Sequence, residues 1–235
     1  MEGTLGRGQH LRICDLGTVP YRDALELQHE LVHKRQEGMI TDTLLLLEHP
    51  AVITQGRSAD HHDILAPTDQ LTAAGVDVVS IERGGETTYH GPGQLVGYPI
   101  LDLRNHLRSL KKYVYLLEEV FVRYLAEHHR IEATRDPEHR GVWVGSEKIT
   151  AIGVAVSRRV TFHGFAFNVN TDLSHFGWII PCGITDRGQT SLAALTGTQI
   201  DMQTVKAGIA ETFCSVYGYE KGSVEQVSAT ALINE

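Results

Sequence analysis

The stretch from Gly141 to Asn168 constrains the fold more than any other part of the chain. It carries three strand-like runs in close succession, residues 141–144, 148–156 and 162–168. Gly145-Ser146-Glu147 separates the first two. That is too little chain for anything but a tight hairpin, and a hairpin forces its strands to pair antiparallel. Parallel neighbours need a crossover of a dozen or more residues. The chain is therefore not a doubly wound parallel sheet.

Helical periodicity interrupts these runs at three places. Between Ser109 and His129, the residues Leu110, Val114, Leu117, Val120, Phe121, Tyr124 and Leu125 recur at helical spacing. Pro20 to Glu37 carries Tyr21, Ala24, Leu25, Leu31 and Val32 on one face, with Gly38 just beyond its end. Asp201 to Tyr217 does the same with Met202, Val205, Ile209, Phe213 and Val216. Short apolar runs at 43–47, 51–54 and 76–81 read as further strands. Together they predict an α/β (α+β) chain, a mixed central sheet flanked by helices. The whole of 1–235 reads as a single catalytic domain, with a flexible Gly-rich lead-in over 1–10 and a tail at 218–235 left unassigned.

Composition narrows the setting. At 42% hydrophobic and 21% charged residues, the chain can bury a core without disulfides or metals. Its cysteines, Cys14, Cys182 and Cys214, are odd in number and widely spaced, which fits a reducing compartment. No run of about 18 apolar residues is present, so no membrane-spanning helix is expected. The first ten residues lack the apolar core of a signal peptide, and the expectation is a cytoplasmic protein with no membrane partner. A net charge of −8 disfavours nucleic-acid binding. His61-His62 and His128-His129 are adjacent pairs that point apart, so no metal site is predicted.

Three segments carry candidate chemistry. Residues 83–94 (RGGETTYHGPGQ) crowd glycines, which let backbone approach a ligand, among donor side chains. The spacing matches neither a Walker loop nor a dinucleotide fingerprint, and a breaker-rich surface turn would look similar. Lys148 follows a tight turn and precedes Ile149-Thr150-Ala151-Ile152-Gly153, small and apolar residues able to line a slot. A lysine partly withdrawn from water can serve as a general base, although most lysines beside hairpins are solvated. Cys182 stands between Pro181 and Gly183, on shaped, irregular backbone, where a lone cysteine is either structural or a nucleophile.

Taken together, these segments resemble the octanoyltransferase family of lipoate biosynthesis. The resemblance rests on residues 83–94, on Lys148-Ile149 through Gly153, on Phe162-His163-Gly164 through Asn170, and on Pro181-Cys182-Gly183. It extends from about Leu11 to Tyr217. It implies a fold shared with biotin ligase and lipoate ligase catalytic domains. It also implies an acyltransferase that moves an octanoyl group from acyl carrier protein to a specific lysine of lipoyl domains. The acceptors would be acyltransferase subunits of 2-oxoacid dehydrogenases and the glycine-cleavage carrier protein, and no cofactor would be needed. On this resemblance Cys182 is the thioester-forming nucleophile and Lys148 its partner. Arg83, Gly84, Gly85, Glu86, Thr87, Thr88, Tyr89 and His90 would line the acyl channel with Ala151, Ile152, Gly153, Gly164, Phe165 and Ala166. His90 is a further candidate for polarising the acyl carbonyl, and Arg158-Arg159 for docking the acidic carrier.

Two other readings compete. An ATP-dependent lipoate or biotin ligase would share the fold and the lysine but would not need Cys182. A noncatalytic acyl-carrier binding module would need neither residue for chemistry.

Overall fold

The computed structural model describes residues 9–106, 109–181 and 187–233. The chain opens with β1 (Leu11–Thr18), α1 (Tyr21–Gln36) and β2 (Asp42–Glu48). β1 and β2 pair in parallel, with α1 as the crossover between them. β3 (Val52–Gln55), α2 (Thr68–Ala73), β4 (Asp77–Ser80) and β5 (Thr87–His90) follow. They build a separate three-stranded sheet in the order β4-β3-β5. β6 (Gln94–Ile100) returns to the main sheet, antiparallel to β2.

After α3 (Leu103–His106) and α4 (Leu110–His129) come β7 (Thr134–Arg135), β8 (Val142–Val144), β9 (Glu147–Ser157) and β10 (Val160–Asn168). The chain ends with α5 (Leu192–Thr196), α6 (Met202–Tyr217), β11 (Val224–Gln226) and α7 (Ala229–Ile233). The main sheet orders its strands β11-β1-β2-β6-β10-β9-β8-β7. Its β11-β1-β2 edge is parallel and the rest is antiparallel. This is the mixed sheet flanked by helices that the hairpin pattern demanded. Among the described residues no helix is long and apolar enough to cross a membrane.

Local chemistry explains the hairpins. Val144 pairs with Glu147, leaving Gly145-Ser146 as a two-residue turn with Gly145 at φ 59°. Glycine at that first central position suits the type II′ turn, whose twist matches the strands. Ser157 pairs with Val160, so Arg158 and Arg159 form the next turn, at φ 45° and 75°.

Helices cover both faces of the sheet. On one, Phe121 of α4 meets Phe165 edge-on at 4.7 Å, and Ile209 and Phe213 of α6 are fully buried beside it. Truncating a buried phenylalanine of this kind costs about 3–5 kcal/mol. On the other face α1 buries Ala24, Leu31 and Val32 against Leu45, Val96 and Tyr98. Leu110 departs from the expected stripe and is 46% exposed. It is the first helical residue, and helical side chains lean toward a preceding turn that Leu110 does not have.

The tail beyond Tyr217 has a definite place. β11 pairs with β1, Leu232 is buried under α1's face of the sheet, and the Tyr219 hydroxyl donates to Asp42 Oδ2 at 3.0 Å. The lead-in over 1–8 lies outside the described residues.

Candidate active site

The small sheet brings the residues of 83–94 against the middle of β9 and β10. The Gly84 N–H donates to Val154 O at 3.0 Å, tying the loop after β4 to β9. Across the gap, Gly153 leaves room for that loop: a Cβ there would stand 2.9 Å from Arg83 Cδ and 3.1 Å from Gly84 O. Gly164 admits β6 in the same way, since its Cβ would fall 2.2 Å from Gly97 O. Glycine at these positions is a matter of close approach.

A narrow cavity of about 50 Å³ lies between loop and sheet. Residues 83–86, Thr88 and His90 line it from the loop and β5, and residues 151–153 and 164–166 from β9 and β10. Thr87 and Tyr89 do not line it. Side chains along a strand alternate between faces, so β5 sends only Thr88 and His90 inward. Thr87 Oγ1 instead donates to Asp63 Oδ2 at 3.0 Å, and the Tyr89 hydroxyl hydrogen-bonds His175 Nδ1 at 2.7 Å. Of these four residues of the motif, the two-residue period of β5 brings two to this cavity and turns the other two to the opposite face.

Four wall residues were missed: Tyr21, Val96, Tyr98 and His163. Tyr21 was visible as a member of the inward stripe of α1. The sequence carried no sign of which sheet face that stripe would cover.

The imidazoles in and behind this cavity are kept neutral. Burial pulls His90 down to about 3 and His49, behind it, to about 4. His90 Nδ1 hydrogen-bonds Gln94 Oε1 at 2.8 Å and its Nε2 meets Thr54 Oγ1 at 3.4 Å. Both ring nitrogens are thus engaged within the protein, so His90 forms wall rather than a donor for a carbonyl.

Lys148 lies further along β9, three residues from Ala151 and so about 10 Å from the cavity wall. It is 2% exposed. Its ladder partner on β8 is Trp143, and Nζ stands over that indole 4.9 Å from the ring centroid. Gly141 leaves the aliphatic stem room: a Cβ there would stand 3.4 Å from Lys148 Cδ and Cε, and the Gly141 N–H donates to the buried Glu118 Oε1 at 3.2 Å. Burial pushes the Glu118 carboxyl up, against the pull of Arg140, Arg135 and Lys148. No sequence signal marked Glu118, which reads as one more polar residue on an amphipathic helix.

Cys182 belongs to residues 182–186, which lie outside the described residues. The chain on both sides of them is anchored. Before it, Ile179 bridges Ile64 and the Ile180 N–H donates to Asp63 O at 2.7 Å. After it, the Lys148 N–H donates to Gly188 O and the Thr190 N–H to Lys148 O, each at 3.0 Å. The other two cysteines are poor nucleophiles, because burial raises both Cys14 and Cys214 to about 11. Arg158 and Arg159 sit at the far end of β9 from Lys148, roughly 33 Å away along an extended strand, and do not border the cavity. Among the described residues no cluster of three or more His, Cys, Asp or Glu is arranged to hold a metal.

Comparison with known proteins decides the family. The Lipoyl protein ligase A/B catalytic domain family matches residues 20–214. An octanoyltransferase of Desulforamulus reducens is 45% identical over 95% of this chain and 98% of its own length. One from Caldicellulosiruptor bescii is 52% identical over 88% of this chain and 92% of its own. The chain belongs to the octanoyltransferase family. As a member it is an acyltransferase that transfers octanoyl groups in protein lipoylation.

Solved structures give the wider fold of the family. Lipoate-protein ligase A bound with ATP superposes with a TM-score of 0.75 at 14% identity, covering 96% of this chain and 93% of that one. Biotin protein ligase from Aquifex aeolicus reaches 0.51 at 16% identity, over 88% of this chain and 69% of that one. At such identities the likeness is one of fold alone, and the reading as an ATP-dependent ligase has nothing further behind it.

Proposed function

We propose that this octanoyltransferase works through a thioester on Cys182, with Lys148 as its acid and base. It would act as one catalytic domain in the cytoplasm. The acyl donor is octanoyl-acyl carrier protein, and the acceptors are lipoyl domains of 2-oxoacid dehydrogenase acyltransferase subunits and the glycine-cleavage carrier protein. The observation that carries this reading is the placement of Lys148. A buried lysine stands on the strand that walls the cavity, hydrogen-bonded through its backbone to Gly188 and Thr190, a short stretch of chain beyond Cys182.

The energetics suffice. A cysteine thiol ionises near ~8.5, so half-ionising it at pH 7 takes about 2 kcal/mol. An ammonium about 4 Å away, at an effective dielectric of about 20, contributes roughly 4 kcal/mol before desolvation. The Cys182 thiolate attacks the carrier-bound thioester carbonyl, and Lys148 gives its proton to the departing carrier thiol. Neutral Lys148 then takes a proton from the acceptor lysine amine, which attacks the acyl-enzyme, forms the amide and regenerates the Cys182 thiolate. Exchange between thioesters is nearly isoenergetic and amide formation runs downhill, so the cycle needs no ATP.

Intact-mass measurement after mixing with octanoyl-acyl carrier protein tests this. One octanoyl adduct, removed by hydroxylamine and absent in Cys182→Ala, is the expected result. An adduct that survives Cys182→Ala, or adenylate formation from lipoate and ATP, overturns it.

A further inference from the structure

Glu118 is a buried carboxylate that the mechanism above does not use. It is fully buried on α4, in the helical layer that covers the sheet. A carboxylate withdrawn from water is costly unless hydrogen bonds and opposite charge answer it. Only part of that answer is local. Oε1 accepts from the Gly141 N–H at 3.2 Å, while Oε2 has no hydrogen-bond partner among the described residues. Arg135 Nε stops 3.6 Å from Oε2 and is likewise without a hydrogen bond there.

Gly141 joins this carboxylate to Lys148. The backbone nitrogen that meets Glu118 belongs to the residue whose Cβ position lies 3.4 Å from Lys148 Cδ and Cε. About 2.5 Å separates a backbone nitrogen from its Cβ, so Oε1 lies within about 9 Å of the end of the lysine stem. Both side chains are buried, Glu118 at 0% exposure and Lys148 at 2%, where salt screens charges little. Burial pushes the Glu118 carboxyl up, and Arg140, Arg135 and Lys148 pull against it. The protons of such neighbours are linked.

The other charges around Lys148 share its sign or have partners of their own. Arg187, over the same Trp143 ring, pairs with Asp136 at 2.5 Å. Arg135 on β7 pairs with Glu119, which also holds Arg123. Arg140 is exposed beside Gly141. Glu147 precedes Lys148 on β9 but is exposed and lies against Gly188. Glu118 is the buried carboxylate that faces Lys148 from the helical layer.

We propose that Glu118 is a positioning residue for the charge of Lys148, a buried counter-charge that sets the pH range in which the lysine gives and takes its proton. The inference rests on the reading of Lys148 as acid and base for Cys182. A neighbouring carboxylate favours the ammonium. It therefore extends to higher pH the state that protonates the departing carrier thiol. By the same token it moves to higher pH the neutral state that accepts a proton from the acceptor amine. Two charges about 9 Å apart, at an effective dielectric of about 20, move each other's titration by about one pH unit.

The test follows the two half-reactions separately against pH in the wild type, Glu118→Gln and Glu118→Asp. Glutamine keeps the shape and an acceptor for Gly141 and removes the charge. In Glu118→Gln the alkaline limb of acylation by octanoyl-acyl carrier protein should fall by about one pH unit. The acidic limb of transfer to a lipoyl domain should fall with it, so that transfer below the wild-type limb becomes up to about tenfold faster. Glu118→Asp keeps the charge and should hold both limbs near their wild-type positions. A loss of packing alone slows both half-reactions at every pH and moves neither limb, and that result overturns the proposal. Carbon NMR of protein carrying isotope-labelled lysine, with Lys148 assigned by its loss in Lys148→Met, reads the lysine midpoint without substrate. That midpoint should be about one pH unit lower in Glu118→Gln, and equal midpoints overturn the proposal. The coupling is mutual, so Lys148→Met should raise the midpoint of the Glu118 carboxyl, and an unmoved carboxyl also overturns it. A wild type that forms no Cys182 thioester counts against the Cys182 mechanism, and the two midpoints still decide the role of Glu118.

Discussion

The ammonium of Lys148 stands 4.9 Å above the centre of the Trp143 indole, the two residues paired across neighbouring strands and each 2% exposed. A cation over an aromatic face contributes about 2 kcal/mol when desolvated. Trp143 is a positioning residue for the lysine, and the guanidinium of Arg187 lies near the same ring at 5.1 Å. Trp143→Leu should lower kcat about tenfold, with KM for the lipoyl acceptor changed less than twofold. Steady-state kinetics check this, and a rise in KM at constant kcat would show that Trp143 serves acceptor docking instead.

Gly153→Ala should impair octanoyl transfer without unfolding the protein. The added methyl would meet Arg83 Cδ at 2.9 Å and Gly84 O at 3.1 Å, pushing the loop off β9 and reshaping the cavity. We expect kcat/KM for the octanoyl donor to fall about tenfold while Tm moves by a few degrees. Unchanged kcat/KM at full stability would mean that the loop is free to shift.

Acid should destabilise the fold through its buried histidines. His49 and His163 are held near about 4 and His90 near about 3, all below the ~6.5 of an unfolded histidine. Between these values the unfolded chain binds more protons than the folded one, so stability is full above about pH 6.5 and is lost as pH falls toward 4. At pH 5.5 each histidine removes roughly 1 kcal/mol, and the three together lower Tm by about 6–12 °C relative to pH 7.5. Differential scanning calorimetry at both pH values measures the drop, which His49→Gln should reduce by about a third.

Removing the tail should cost stability. A chain ending at Gly218 loses Tyr219 and Leu232, 7% and 1% exposed, together with the β11 edge of the main sheet. Burial of two such side chains is worth roughly 3–6 kcal/mol, or about 10 °C in Tm. The cavity and Lys148 lie on other strands, so octanoyl transfer measured well below the new Tm should persist. Unaltered thermal unfolding of the truncated chain would remove the tail from the folded core.

The sequence by itself determined the antiparallel hairpins, the helices over 20–37, 109–129 and 201–217, and the segments that carry the chemistry. These are local properties: a two-residue turn such as Gly145-Ser146 admits few backbone paths, and an apolar stripe must bury itself. Only the tertiary structure decided which residues of 83–90 face the cavity. The alternation of β5 turns Thr87 and Tyr89 away. Likewise Glu118 sits behind Lys148 because Gly141 lies between a helix and a hairpin far apart in the chain. The run after Tyr217 carries no assignment in the sequence because an edge strand gains its meaning from the partner it pairs with, and β1 lies at the opposite end of the sequence. A motif names the residues that gather at a site; which way each side chain points depends on strand parity and neighbours from other parts of the chain.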